Sequence, residues 1–155
     1  MMKLLGVCLG VLLCWSVSLG GNEAFGVADR VGEPDARCFF LLSTSAGSYT
    51  IRQDGWGEFT SPKGMRRVFT LQVGAKARID QVYFLEHERD LFLFYQVHDA
   101  TSQSAFLVRM EQTKRKLRWI TAVDNVDIAA PTIREGYVVI KNTEISKADG
   151  HVRGN

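Results

Sequence analysis

The sequence predicts an all-β fold of antiparallel strands arranged as consecutive meanders, and three observations predict it. Apolar residues arrive in short bursts rich in Val, Ile, Phe, Tyr and Thr. Clusters of Gly, Asp, Asn, Ser and Pro separate those bursts, as turns do. No stretch sustains a helical period. With 46% apolar and 23% charged residues in a chain of 155, the composition is that of one folded domain, which excludes disordered, collagen-like and coiled-coil architectures.

Residues 1–20, MMKLLGVCLGVLLCWSVSLG, form an export signal: Lys3 supplies the positive start, Leu4 to Trp15 the apolar stretch, and Ser18 and Gly20 the small residues before a cut near Gly20. The apolar run falls short of the roughly 18–20 residues that span a bilayer. Val7 and Leu13 precede Cys8 and Cys14, where a lipid attachment site needs a small residue. The expected product is therefore secreted or periplasmic, with no membrane attachment beyond the signal. Of the three cysteines only Cys38 remains after the cut, so no intrachain disulfide is available and Cys38, inside CFFLLS, is read as a small buried hydrophobe. Residues 21–37 carry scattered apolar residues among Gly, Asn, Glu, Asp and Pro and are expected to be a loose leader. A single all-β domain is expected over 38–155.

Within that domain the strand candidates are 38–43, 48–52, 66–73, 81–86, 90–98, 104–110, 116–123, 136–142 and 143–148. In RRVFTLQV, Phe69, Leu71 and Val73 alternate with Val68, Thr70 and Gln72, which turns one face inward. In DLFLFYQVH both faces are apolar, so this strand is expected to be central. The charged EHERD at 86–90 joins two apolar runs and makes 81–98 a hairpin.

The segment 105–119 lines up with 143–154: Leu107 with Ile145, Arg109 with Lys147, Glu111 with Asp149, Leu117 with Val152 and Arg118 with Arg153. A strand precedes each unit, and a third, weaker unit starts at Tyr49. These units, with Lys116-Leu117-Arg118-Trp119 as a closing strand, resemble the quinoprotein-type (PQQ-like) β-propeller repeat. The resemblance implies four-stranded blades with Trp119 packed between neighbours. Closed propellers typically need about four to eight blades, and at most three units fit, so the expected form is an incomplete propeller or a sandwich. Gly154 stands where the second unit would carry its Trp, and nothing carries over to a quinone or calcium site. No cofactor is expected.

The charge of +2, from 19 basic and 17 acidic residues, leaves little surplus for a nucleic-acid backbone. His87, His98 and His151 lack ligand spacing, and Asp124-Asn125-Val126-Asp127 lacks the Gly and distal Glu of a calcium loop, so no metal site is expected. Two surface features remain. Trp56, between Gly55 and Gly57 in a predicted turn, either docks back onto its own sheet or presents itself to a partner. Lys114, Arg115, Lys116 and Arg118 form a basic run at a hairpin tip. Unfinished blades also leave sheet faces that a partner protein or a second copy would cover. The function these features suggest is an exported, non-enzymatic recognition protein, for example an inhibitor or immunity-type protein acting on a macromolecule. The alternatives are a small secreted hydrolase or quinoprotein-like remnant working through His98, Asp99 and the following Ser-containing loop, and a structural envelope component.

Overall fold

A computed structural model describes residues 23–32, 38–123 and 129–153, and these are all-β with no helix. The export signal and the Asp124–Asp127 loop lie outside the described residues. Three short strands open the described chain: β1 (Glu23–Ala24), β2 (Gly26–Val27) and β3 (Asp29–Val31). Three four-stranded meanders follow. The first is β4 (Phe39–Thr44), β5 (Gly47–Arg52), β6 (Trp56–Thr60) and β7 (Arg66–Thr70). The middle one is β8 (Arg78–His87), β9 (Asp90–His98), β10 (Gln103–Glu111) and β11 (Lys116–Val123). The last is β12 (Thr132–Arg134), β13 (Tyr137–Ile140), β14 (Thr143–Ser146) and β15 (Val152–Arg153). Every pairing is antiparallel, and each meander gains a fifth strand from the N-terminal run.

Alternation stacks the sheets in the order first, middle, last. Along β9, Leu91, Leu93, Tyr95 and Val97 enter a core cluster with Phe40, Leu42, Tyr49, Ile51 and Phe59 of the first sheet. The intervening Phe92 and Phe94 enter a second cluster with Ile133, Val138, Ile140 and Ile145 of the last sheet. A strand apolar on both faces can be satisfied only between two other layers, and β9 is the centre of the middle sheet. The 81–98 hairpin forms as expected, with β8 and β9 pairing from Arg78–His98 to His87–Asp90.

The N-terminal run departs from the expected loose leader. Residues 23–31 are a strap that crosses the first-strand edge of all three sheets, β1 pairing with β12, β2 with β8 and β3 with β4. The residues between its strands are plugs: Phe25 is buried in the middle–last cluster and Ala28 in the first–middle cluster. Their backbones hold too, Phe25 N–H donating to Pro131 C=O at 3.0 Å and Ala28 N–H to Val82 C=O at 2.9 Å. Strands of two or three residues carry no alternation of their own to read. The unsatisfied edges of β4, β8 and β12 make them strands.

Trp56 also departs from its expected place. It begins β6, and the turn lies before it. Gly57 is there for packing, because a Cβ would sit 2.2 Å from Cζ of Phe69. The Phe69 ring lies directly on the backbone of β6, and only glycine admits it.

The repeat alignment is out of phase in its first half. The strap gives the three meanders one common sense, so equivalent residues should face the same way along the stack. Leu107 points from the middle sheet toward the last, whereas Ile145 points from the last sheet back toward the middle. Register pairs Ile145 with Val152 and Met110 with Leu117, so Met110 is the equivalent of Ile145. Leu117 and Val152 remain matched, and since seven positions separate Met110 from Leu117 and Ile145 from Val152 alike, the shift between the two halves of the alignment has no counterpart in the turns.

Candidate functional site

Stacking leaves two sheet faces outside the cores, and they differ in chemistry. On the first sheet, inward residues alternate with Phe39, Leu41, Thr50, Arg52, Trp56, Glu58 and Val68, which face away from the middle sheet. Leu41, Thr50, Glu58 and Val68 form one cross-strand row, which Asp29 of β3 extends. Val31, beside Phe39, is 48% exposed, Leu41 39% and Val68 60%. Val31 and Leu41 flank the half-buried Phe39 as an apolar corner over β3 and β4, whereas Val68 lies at the far end of the row, beyond Thr50 and Glu58.

Ion pairs fix the polar part of this face. Arg66 makes a two-pronged contact with Glu58, Nε to Oε1 at 3.0 Å and Nη2 to Oε2 at 2.6 Å. The Arg52 guanidinium lies 5.4 Å from the centre of the half-buried Trp56 ring and also binds Asp54. Asp54 in turn accepts from the Trp56 N–H at 3.1 Å. Partial burial pushes the Asp54 carboxyl up, but the Arg52 hydrogen bond and the Trp56 N–H outweigh it and hold it below its ordinary value. Trp56 is thus held beneath a cation and left half-buried.

The outer face of the last sheet carries Thr132, Arg134, Tyr137, Val139, Glu144, Ser146 and Arg153. Arg153 lies 5.2 Å from the Tyr137 ring centre and 3.6 Å from Glu144. Among the described residues none of the exposed large hydrophobics belongs to this face; Val152 pairs with the buried Ile145 and so points inward.

The structure separates the two surface features read from the sequence. Trp56 looks outward from the first sheet, while the basic run lies at the β10–β11 turn on that sheet's other side. Arg115 reaches across to the inward Phe59, 5.4 Å from its ring centre, and touches the Met65 sulphur at 2.7 Å. Glu111 answers two more of the charges, binding Arg118 and lying 3.8 Å from Lys114. Lys116 is exposed opposite Glu111 in the register. The run is therefore tied into its own hairpin and the first–middle interface. Val31, Leu41 and Val68 were not singled out from the sequence. The signal was present in CFFLLS, where both parities of the strand are apolar, but its meaning depends on lying at the end of the stack.

Trp119 bridges the middle and last sheets. Its ring lies 6.2 Å from that of Phe92, its Nε1–H donates to Lys147 C=O at 3.1 Å, and Gly150 sits against the ring where a Cβ would come within 2.6 Å. Arg109 donates to the same carbonyl and pairs with the buried Asp90, Nε to Oδ2 at 2.8 Å. The first–middle interface has its own polar staple. Glu86 accepts from Ser45 N–H at 2.9 Å and from Gln112 Nε2 at 3.0 Å, and Gln112 Oε1 accepts from Thr44 and Tyr49. Burial alone would raise the Glu86 carboxyl, but the Ser45 and Gln112 hydrogen bonds prevail and lower it; burial first, then the Glu86 charge, pushes the Tyr49 hydroxyl far up.

The His98–Asp99 pair does not assemble. Asp99 Oδ1 accepts from the N–H groups of Thr101 and Ser102, both at 2.8 Å, and from both hydroxyls, which lowers its pKa and commits it to its own loop. His98 Nδ1 lies 2.5 Å from Asp80 instead. His87 meets Glu23 of the strap at 3.1 Å and Lys147 Nζ at 3.1 Å. Among the described residues no group of three or more His, Cys, Asp and Glu side chains is arranged to hold a metal ion. Cys38 is buried, with Arg30 Nη2 3.7 Å from its sulphur. Compared with protein families, curated proteins and solved structures, the chain matches none.

Proposed function

We propose that this chain is an exported, non-enzymatic recognition protein whose contact surface is the outer face of the first sheet. The observation that carries the reading is that Val31 and Leu41 toward one edge of this face and Val68 at the other stand exposed on the sheet that presents Trp56. A half-buried tryptophan beside arginines supplies the residue types enriched at protein contact surfaces, and the exposed aliphatic side chains add apolar area around them. The sheet holds these side chains through a strand ladder and a packed inner face, so little ordering cost would be met on binding.

The alternative of a small secreted enzyme has less support, since Asp99 is spent on its loop and His98 faces Asp80. The test is capture with the tagged full-length chain, purified after expression with residues 1–20 present. The bait is offered its own compartment's extract and its own untagged copy. The expected result is one stoichiometric protein retained by the native chain and lost with Leu41→Arg and Val68→Arg. Equal retention by all three, or retention of nothing, would overturn the reading.

A further inference from the structure

We infer that a second copy of this chain is the partner of the recognition face, the outer face of the last sheet of one copy seating on the outer face of the first sheet of the other, so that two chains close one ring of six sheets. This rests on the recognition reading and names its partner. Inside one chain the same kind of contact already occurs twice. The strap gives the three meanders one sense, so the first–middle and middle–last interfaces both join the forward side of one meander to the backward side of the next. Among the described residues, no sheet covers the forward side of the last sheet or the backward side of the first. A head-to-tail contact between copies therefore continues an interface that the fold already makes.

Charge favours the same match. The strands of the first-sheet face balance Asp29 and Glu58 against Arg52 and Arg66, with Asp54 of the turn before β6 as a further acidic group on Arg52, while the strands of the last-sheet face carry Arg134 and Arg153 against Glu144, one basic group in excess. Two like faces brought together would set those excesses against each other. The number of copies follows from the sheets. Head-to-tail contacts form rings when the rotation closes, and closed propellers typically contain about four to eight blades. One copy supplies three sheets, two supply six and three would exceed the range.

Sedimentation of the purified full-length chain tests this directly, with Val68→Lys altering one face and Val139→Lys the other. The native chain is expected to sediment as two chains and each variant as one. An equimolar mixture of the two variants is expected to regain a two-chain species, because that pair keeps one unaltered contact. A native chain that stays single at every concentration would overturn the inference. So would a pair lost with Val68→Lys but kept with Val139→Lys, which means first-sheet faces meeting each other, or an open-ended series of larger species. Should Val139→Lys lower the melting temperature, Arg153→Glu on the same face replaces it. A single-chain result together with face-dependent capture of a foreign protein would end the self-partner inference and leave the recognition reading standing.

Discussion

The middle sheet and the first sheet are both five-stranded antiparallel meanders, yet they read oppositely. In the middle sheet, β9 sends Leu91, Leu93 and Tyr95 into one core and Phe92 and Phe94 into the other. In the first sheet, β5 buries Tyr49 and Ile51 and turns Ser48, Thr50 and Arg52 outward. Position in a stack decides whether a strand alternates, because only a layer with neighbours on both sides can bury both parities. The first sheet's β4 breaks this economy. Its outward Phe39 and Leu41 are apolar without a neighbouring layer among the described residues, and the proposed contact surface rests on this mismatch.

The sharpest way to break the comparison is to delete the same kind of side chain in both places. Phe94→Ala in the middle sheet removes a fully buried ring and should cost about 3–5 kcal/mol, read as a shift of the denaturant midpoint. Val68→Ala on the outer face should change stability by no more than about 0.5 kcal/mol, while weakening partner capture. Equal losses at the two sites would mean that the first sheet's outer face is already part of a core.

A smaller effect tests the glycine contacts that hold one sheet to itself and another to its neighbour. Gly57→Ala sets a methyl group against Phe69, and Gly150→Ala sets one against Trp119. Overpacking of this kind should cost about 1–3 kcal/mol each. Gly150 should suffer more, since its φ of 73° disfavours a side chain as well.

The smallest predicted effect concerns the polar staple between the first and middle sheets. The folded Glu86 carboxyl lies below its ordinary value of 4.5, so its contribution is fully present above that value and is lost as pH falls through the lower folded value. Glu86→Gln should therefore flatten the acid limb of the stability curve, followed by melting between pH 3 and pH 6. An unchanged acid limb would show that the staple contributes nothing.

Much of the β architecture was legible in the chain. The 81–98 hairpin, the central place of β9 and the inward set Phe69, Leu71 and Val73 follow from patterning and turn residues alone. Of the face proposed for recognition, Trp56 was legible and Val31, Leu41 and Val68 were not, because an exposed aliphatic residue in a strand looks like a buried one until the neighbouring layer is known. The basic run 114–118 was legible as charge, but its ties to Glu111, Phe59 and Met65 come from chain segments that are not adjacent to it.

By itself the sequence determined which segments extend and which of their side chains seek a core, since alternation and turn chemistry act between residues a few positions apart. Only the tertiary structure decided that residues 23–31 lace three sheets together, that Trp56 and the basic run lie on opposite sides of one sheet, and that Leu107 and Ile145 meet from opposite layers. These are relations between distant segments. They are set by which edges need hydrogen bonds and which faces need cover, and no local pattern encodes them.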